Sequence, residues 1–366
     1  MKIKTELWNK DFEVETWDDN QAILTKYHGA EKDVIIPEGI TTILPSSISN
    51  NSNVVSVKLP QTITTPSYFG DFTTISGGFD DCPSLEYVEF PESVDYIDFN
   101  HCFNNCPSMT KINITTNLKE VNITHPNLWY YKSKFKEVVV SPDNPFFYKE
   151  GSVVFGPCAK FPQYNCSIYF CDKNIEGEYV APDKNLIIEK FAFAECEKLT
   201  SFAAYSEIVS IGLHAFHNCK ELKEIIIPNE TEEPHLFLDT EQYVPVVCKS
   251  SVDSFFQSPY WRTSQQATKS KRCVTLGYMR HPELHTEEMD TKGKHAYAIK
   301  QRRFLIPIIF ELDDPVLIKF YIDNNMVNEK NFFCDYLQPA REAHAYKCVE
   351  YLFDWAEKTH LGGNWY

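Results

Sequence analysis

The feature that most constrains this chain is a repeated pattern of phenylalanine, cysteine and regularly spaced apolar residues. Four segments align, with Phe at the first position, Cys three residues later and Leu or Met three residues after that: 79–85, 103–109, 193–199 and 216–222. Two spacers and an apolar–spacer–apolar triplet follow in every copy. A pattern shared at so many positions indicates stacked units that close a common core only together.

Two degenerate copies fit the same frame, at residues 48–60, where Asn51 replaces the cysteine, and at residues 129–140. The alternating triplet predicts a short half-buried strand. We expect the cysteines to act as small buried apolar groups, and Asn51 to bond to the backbone of its turn. A spacing of about 23 residues lies within the range of leucine-rich repeats, roughly 20–29. The repeat therefore predicts a right-handed coil with a parallel sheet along its concave face.

The consensus L-x-x-I-x-I-P-x-x-V-x-x-I-x-x-x-A-F-x-x-C, seen across residues 85–106 and 208–228, resembles the BspA-like class of leucine-rich repeats. The loop-like residues 141–155 and the opening residues 22–37 are also similar to that class. The resemblance covers residues 12–230 and implies an α/β repeat solenoid used for adhesion or protein binding in microbes and protists. The departures are an insertion around residues 68–74 and a poorly patterned stretch over residues 157–184.

The sequence predicts three parts: a capped solenoid over residues 1–250, a linker or extension over 251–298, and a helical region over 299–366. Asp314 followed by Pro315 marks a helix start, because a capping carboxylate and an initial proline suit the first turn. Further helix starts are predicted at Asn328 and Gln338. These short helices resemble degenerate ankyrin repeats, although the ankyrin turn motif is missing; a plain helical cap is the alternative.

The charge balance excludes some partners. With 35 basic and 51 acidic residues, the net charge of −16 argues against broad contact with nucleic acid or an anionic membrane. The basic group at residues 269–272 is expected to be a solvated linker. The opening residues lack a signal-peptide core, and apolar runs such as 304–310 are too short for a membrane span. We therefore expect a cytoplasmic protein with reduced cysteines, while unconventional export and the oligomeric state stay open.

No sequence motif for phosphate cradling, dinucleotide binding or nucleophilic catalysis is present. His214, His217 and Cys219, with Cys196 one turn away, have residue types that bind zinc, but the repeat places both cysteines in the core. Cys158, Cys166 and Cys171 could cluster in the irregular block, or be separate buried thiols. The chain is therefore predicted to be no enzyme and to hold no metal or cofactor, with a metal-dependent enzyme as the lesser alternative.

The strand residues that lie between the buried ones should line one continuous outward face. The predicted partner-binding residues on this concave face are Ser56, Lys58, Tyr87, Glu89, Lys111, Asn113, Glu137, Val139, Ser201, Glu224 and Ile226. Tyr87, Val139 and Ile226 are apolar or amphipathic where solubility alone would favour charge. Such a mixed face suits a protein or peptide better than a polyanion. The sequence therefore predicts a protein-binding module, and a surface or secreted adhesin of the same fold is the alternative.

Overall fold

A computed structural model describes most of the chain and divides it into two compact units. The described residues are 4–16, 21–45, 47–64, 66–67, 70–75, 78–98, 102–103, 105–122, 136–157, 166–212, 214–229, 242–249, 264–286, 289–359 and 361. The first unit comprises Met1–Ile175, Leu186–Cys196 and Ile211–His217. The second comprises Glu176–Asn185, Glu197–Ser210 and Asn218–Tyr366. As predicted, the fold is a β-solenoid of leucine-rich repeats followed by a helical region.

The first unit begins with an antiparallel sheet that closes the start of the solenoid. Strands β1 (Lys4–Trp8), β2 (Phe12–Thr16) and β3 (Ala22–Tyr27) pair in succession, and β3 then pairs in parallel with β5 (Thr42–Ile43). The buried rings of Phe12 and Tyr27 lie 5.0 Å apart between their centroids. This sheet covers apolar side chains that the first turn would otherwise expose to water.

One short strand per turn contributes to two parallel sheets of the first unit. In chain order these strands are β4 (Asp33–Ile35), β6 (Ser56–Lys58), β9 (Tyr87–Glu89), β11 (Lys111–Ile114) and β13 (Glu137–Val140). Strands β4, β6 and β9 form one parallel sheet, and β11 and β13 pair in parallel as another. The middle residue of each of the strands β4, β6 and β9 points inward as predicted, since Val34, Val57 and Val88 are buried.

Around the insertion, the described residues 66–67 and 70–75 form two paired strands. Strand β7 (Pro66–Ser67) pairs antiparallel with β8 (Gly70–Ile75), and β8 continues in parallel with β10 (Tyr96–Asp98) and β12 (Glu120–Asn122). The insertion therefore adds a hairpin to a second parallel sheet and leaves the order of the repeats intact.

The repeated phenylalanine and cysteine stack from turn to turn in the core. The rings of Phe79 and Phe103 lie 5.4 Å apart and nearly parallel, as do those of Phe193 and Phe216 at 5.3 Å. The thiol of Cys106 donates to the Phe79 carbonyl oxygen at 2.8 Å. Cysteine therefore acts as a small buried group with a weak donor, as the sequence predicted.

The residue before each cysteine has a left-handed backbone. Asp81, Asn105 and Asn218 have φ between 54° and 56°, while Asn50 and Glu195 are at 61°. Asn and Asp tolerate this conformation better than other residues with a side chain, which explains their recurrence in the motif. Asn51 accepts hydrogen bonds from the amides of Asn53 and Val54, so its predicted role in the turn backbone is confirmed.

The irregular middle block contains a β-hairpin and a third antiparallel strand, which is joined to the solenoid. Strands β14 (Tyr148–Glu150), β15 (Val153–Gly156) and β16 (Ser167–Cys171) are antiparallel, and β16 pairs in parallel with β18 (Leu186–Ile188). Lys149 contacts Asp172 at 2.6 Å and donates to the Val138 carbonyl oxygen, while the Val138 amide donates to Asp172. This largely buried ion pair fixes the hairpin to strand β13.

In the second unit, four parallel strands continue the repeat. They are β17 (Gly177–Val180), β19 (Leu199–Ala203), β21 (Glu224–Ile227) and β22 (Val246–Cys248), paired in that order. The remaining described strand of the chain, β20, spans Ile208–Ile211. Phe202, Ile225 and Val246 are fully or almost fully buried between the strands. Each turn of this unit therefore uses its apolar middle residue as the first unit does.

Six α-helices follow among the described residues, together with a 3-10 turn at Pro282–Leu284 and a π-helix at Phe332–Leu337. The α-helices are α1 (Ser264–Arg280), α2 (Thr291–Lys300), α3 (Arg302–Leu312), α4 (Pro315–Asp323), α5 (Gln338–Glu342) and α6 (Tyr346–Lys358). Helices α1 and α2 occupy residues that the sequence assigned to a linker. The sequence missed α1 because buried Ser270 and Lys271 interrupt its apolar stripe.

The helix starts were predicted with uneven success. Asp314 caps α4 by accepting from the Val316 amide at 3.0 Å, with Pro315 in the first turn, as predicted. The segment after Asn328 becomes a π-helix that begins at Phe332, and Gln338 starts a helix of one turn. His344, with φ of 56°, separates that turn from α6.

Helix α1 closes the last described strand of the solenoid at Gly277. A Cβ atom at this position would lie 2.0 Å from the Val246 carbonyl oxygen and 2.7 Å from the Val246 nitrogen. The helix backbone therefore lies directly against β22, which no other residue type would allow. The contact covers the apolar layer that the last turn would otherwise expose.

We predict that Gly277→Ala lowers the free energy of unfolding by about 3 kcal/mol, because the added methyl group meets backbone that has to move. Denaturant unfolding measures the loss, and hydrogen exchange should show faster exchange at Val247 and Cys248. Gly151→Ala is the control, since its Cβ meets nothing within 4 Å and costs only the strain of its left-handed φ of 57°, about 1 kcal/mol. Equal losses in the two variants would contradict the close contact.

We predict that Asp172→Ala lowers the free energy of unfolding by about 3 kcal/mol, because Lys149 and the Val138 amide lose a shared buried acceptor. Thermal and denaturant unfolding measure the change. The control is Glu176→Ala, which removes the exposed ion pair with Lys198 and should leave stability unchanged. An Asp172→Ala variant as stable as this control would show that the ion pair does not anchor the hairpin.

Candidate binding surface

The outward side chains of β4, β6, β9, β11 and β13 form what we call the N-terminal strand face. Pairing aligns Asp33, Ser56 and Tyr87 in one row, and Ile35, Lys58 and Glu89 in the next. In the sheet formed by β11 and β13, Lys111 lies beside Glu137, and Asn113 lies beside Val139. All eight first-unit residues predicted for partner binding belong to this face: Ser56, Lys58, Tyr87, Glu89, Lys111, Asn113, Glu137 and Val139.

Polar side chains on this face bond across neighbouring strands. Ser56 donates to Asp33 at 2.6 Å, and the Asn113 amide donates to the Tyr87 hydroxyl at 2.6 Å, which links β9 to β11. Two exposed ion pairs complete the pattern, Lys58 with Glu89 at 2.8 Å and Lys111 with Glu137 at 3.6 Å. The hydrogen bond to Glu89 raises the pKa of Lys58, and partial burial raises the pKa of Tyr87. The face thus has alternating charges held in solvent-accessible pairs.

Apolar side chains interrupt these charges. Ile35 is 68% exposed, and Tyr87 and Val139 are half-buried. Asp33 and Ile35 were missed by the sequence analysis, although residues 33–37 repeat the strand pattern of residues 56–60, including its final proline. Ile35 lies in the same row as Lys58 and Glu89, so an exposed apolar side chain stands beside a pair of charges.

The corresponding outward positions of β17, β19, β21 and β22 form the C-terminal strand face. Here Ser201 lies beside Glu224, while Val180, Ala203, Ile226 and Val247 form a continuous apolar row across the four strands. Val180, on the first of these strands, is 58% exposed, but the other three members are buried.

The chain itself covers this apolar row. Residues 281–286 and 289, between α1 and α2, are here called the cover segment, and they include Leu284 and Met289. Met289 is 1% exposed and packs with Leu284 against Ala203, Ile226 and Val247. The expectation that Ile226 is open to solvent is therefore wrong, because a segment more than fifty residues later in the chain buries it.

Ionic contacts also hold the cover segment in place. Glu224 accepts from His281 at 2.7 Å and lies 3.6 Å from Arg280, whose guanidinium also binds Asp314 and the Lys223 carbonyl oxygen. The His281 hydrogen bond, with the Arg280 charge, lowers the pKa of Glu224. Glu224 was predicted to meet a partner, but in this structure it binds the chain's own helical region, while Ser201 stays half-buried.

Among the described residues, the side chains of the histidine and cysteine alternative are not grouped as metal ligands. The ring of His214 stacks on that of Phe191, with 5.1 Å between centroids, and lies edge-on to that of His217, with 6.0 Å between centroids. Cys196 and Cys219 are buried. Across the part of the chain that the structure describes, no three His, Cys, Asp or Glu side chains are placed to hold a metal ion.

The cysteines of the irregular block have different neighbours. Cys166 lies 3.6 Å from the Tyr148 hydroxyl, whereas Cys171 contacts Cys196 of the next turn. The hydrogen bond that the Cys171 thiol donates to the Cys196 sulfur, together with burial, raises the pKa of Cys171. Cys158 lies outside the described residues, so the predicted alternative of a three-cysteine cluster is not tested.

None of the helices in the described ranges is long and apolar enough to cross a membrane. This finding concerns the described residues only and leaves the expected cytoplasmic location a prediction.

The chain is similar to several solved structures of leucine-rich repeat proteins. One is a leucine rich cell surface protein from Faecalibacterium prausnitzii, 18% identical over 66% of this chain and 79% of that chain, with a TM-score of 0.35. A leucine-rich repeat protein from Eubacterium ventriosum is 15% identical over 69% of this chain and 80% of that one, with a TM-score of 0.39. The T. pallidum leucine rich repeat protein is 16% identical over 59% and 90%, with a TM-score of 0.34.

Comparison with curated proteins finds no match. The predicted likeness of the C-terminal helices to ankyrin repeats is not confirmed. A family model described as BspA type leucine rich repeat region matches six copies, over residues 27–149 and 166–264. That match spans more than half of the sequence and coincides with the turns described above. The chain therefore belongs to the BspA-type leucine-rich repeat family.

Proposed function

We propose that this chain is a non-catalytic binding module that holds a protein or peptide against the N-terminal strand face. Leucine-rich repeat proteins of this kind generally serve protein interaction or stand at surfaces, typically without catalysis. The residues proposed to contact the partner are the predicted first-unit set, to which Asp33 and Ile35 are added.

The main observation in support of the proposal is that the chain itself covers the C-terminal strand face. There a polypeptide segment of this same chain occupies outward strand positions through apolar side chains, Leu284 and Met289, and through ionic contacts to Glu224. The N-terminal strand face offers equivalent outward positions, and Ile35, Lys58 and Lys111 are exposed on it. This contact supports polypeptide as the kind of ligand for the N-terminal strand face.

The side chains favour a partner with both apolar and charged groups. Ile35, Tyr87 and Val139 provide apolar contact area, and aromatic residues are enriched at such interfaces. The two cross-strand ion pairs provide charges of both signs that could pair with a partner of matching pattern. A polyanion would be repelled by the acidic members of these pairs and by the net charge of −16 of the chain.

We predict that reversing three charges on the face, Lys58→Glu with Glu89→Lys and Lys111→Glu, weakens partner binding at least tenfold. The partner's charges would then meet like charges, a cost that concerns binding more than folding. The probe is a peptide selected from a display library on the purified wild-type chain, and calorimetry measures its affinity for each variant. The melting temperature should stay unchanged, because exposed ion pairs contribute little to stability.

The matched control reverses three charges off the face, Lys119→Glu with Glu197→Lys and Lys198→Glu, and gives the same net change. It should bind the peptide as the wild type does. Equal binding by all three proteins, or an equal loss in both variants, would place the contact elsewhere and overturn the assignment. Repeated failure to select any peptide above background would count against a peptide-binding role.

A further inference from the structure

Two pairs of cysteines bring thiols from neighbouring turns into contact inside the first unit. The pairs are Cys82 with Cys106 and Cys171 with Cys196, and all four side chains are buried. In each pair the two thiols lie within hydrogen-bonding reach of each other. Contact between two sulfurs allows oxidation chemistry that a single buried cysteine does not have.

The sulfurs of Cys171 and Cys196 share one backbone carbonyl. The Cys171 sulfur lies 3.6 Å from the Asp172 carbonyl oxygen, and the Cys196 sulfur lies 3.9 Å from the same oxygen. The two turns are also bonded through their backbones, since the Cys171 amide donates to the Ala192 carbonyl oxygen at 2.8 Å. Segments bonded in this way lie about 4.8 Å apart, within the roughly 4.4–6.8 Å between Cα atoms that a disulfide requires. The backbone spacing is therefore compatible with a bond between the two sulfurs.

The surroundings of this pair favour a thiolate at Cys196. The hydrogen bond donated by Cys171 lowers the pKa of Cys196, and the ammonium group of Lys173 acts in the same direction. Burial and the carboxylates of Asp172 and Glu195 oppose this effect, but the pKa of Cys196 still lies below its ordinary value. The thiolate is the reactive form of cysteine, so Cys196 is the nucleophile of the pair.

The Cys82–Cys106 pair has different surroundings. Its Cys106 thiol is bound to the Phe79 carbonyl oxygen at 2.8 Å, which holds the proton on that sulfur. The described charged groups that act on Cys82 are Asp80 and Asp81, and both are anionic. This pair therefore provides a comparison in which two sulfurs meet without a described cation beside them.

We propose that Cys171 and Cys196 are a peroxide-sensitive thiol pair, which oxidises to a disulfide that joins the middle block of β14 to β16 to the following turn of the solenoid. The inference concerns the chain alone and does not depend on the proposed partner. Because Cys171 ends β16, the bond would close a loop over residues 171–196 and oppose local opening of the middle block.

The reaction consumes one peroxide molecule and two thiols. The Cys196 thiolate attacks one peroxide oxygen, the O–O bond breaks, and the other oxygen leaves as water after it takes up a proton. This step oxidises Cys196 to a sulfenic acid. The Cys171 sulfur then attacks the Cys196 sulfur, the S–O bond breaks, and the hydroxide leaves as water with the proton of Cys171. The products are one disulfide and two water molecules.

The oxidant has to be small, because neither sulfur has exposed surface. Peroxide is little larger than water, whereas a bulky disulfide such as oxidised glutathione would need the turn to open. Lys173 is partly exposed, and Glu197, next to Cys196, is exposed. The pair therefore lies close beneath the surface of the solenoid.

The test treats the full chain with hydrogen peroxide, alkylates the remaining thiols after denaturation, and identifies linked peptides by mass spectrometry of a non-reduced digest. We expect peptides joined through Cys171 and Cys196, which dithiothreitol separates, and a higher denaturant midpoint in the oxidised chain. Exposed Cys334 is the control for an active oxidant. Cys273, whose pKa burial raises to about 11, should stay a thiol and is the control for unfolding.

A lysine variant tests the electrostatic part of the proposal. Lys173→Met keeps an unbranched side chain beside Phe170 and removes the cation, so disulfide formation should be roughly threefold or more slower. The matched control is Lys198→Met, which removes an exposed cation paired with Glu176 and should leave the rate unchanged.

Cys171→Ser leaves Cys196 without a thiol to condense with, so oxidation should stop at the sulfenic acid, which dimedone traps. If that variant fails to fold, the wild-type and lysine-variant measurements still decide. The proposal is overturned if Cys171 and Cys196 stay separate thiols while Cys334 is oxidised, or if Cys82 and Cys106 become linked equally fast. Equal rates in the two lysine variants, or oxidation of Cys273 in parallel, would overturn it as well.

Discussion

A turn of this solenoid has no core of its own, and it becomes stable only when its apolar side chains meet those of the next turn. The stacked Phe79 and Phe103, like Phe193 and Phe216, are the clearest form of this dependence. Two consequences follow for the rest of the molecule. The first turn needs a cover, which the antiparallel strands β1 to β3 provide, and the last described turn needs another, which helix α1 provides.

The two strand faces use the same pleated geometry for different purposes. On the N-terminal strand face, charges pair across neighbouring strands and stay exposed, so the surface is compatible with water while still offering Ile35 and Tyr87. On the C-terminal strand face, Ala203, Ile226 and Val247 are apolar, and their exposure to water would cost free energy. The cover segment removes them from water. One repeat therefore provides an exposed surface with paired charges and an internal docking site for the chain's own helical region.

Much of this could be predicted from the sequence, because repeat contacts are local. The Phe and Cys positions, the turn role of Asn51 and the cap at Asp314 all depend on residues close in sequence. Alternation also placed Glu224 and Ile226 on the outward side correctly. It could not show that His281, Leu284 and Met289 cover them, since that contact joins positions more than fifty residues apart. Helix α1 was missed for a related reason: its buried Lys271 looks like a solvent-facing residue until its neighbours are known.

The close contact at Gly277 also limits how such a chain can change its length. Solenoids gain turns readily, since each new unit resembles the one before it. Here the backbone of helix α1 lies directly against Val246, and a turn added after β22 would have to separate them. A longer descendant of this chain would therefore have to gain its repeats by duplication inside the coil, where both neighbours of a new turn already have the shape it needs. The glycine in the helix thus marks the point beyond which this repeat array cannot grow.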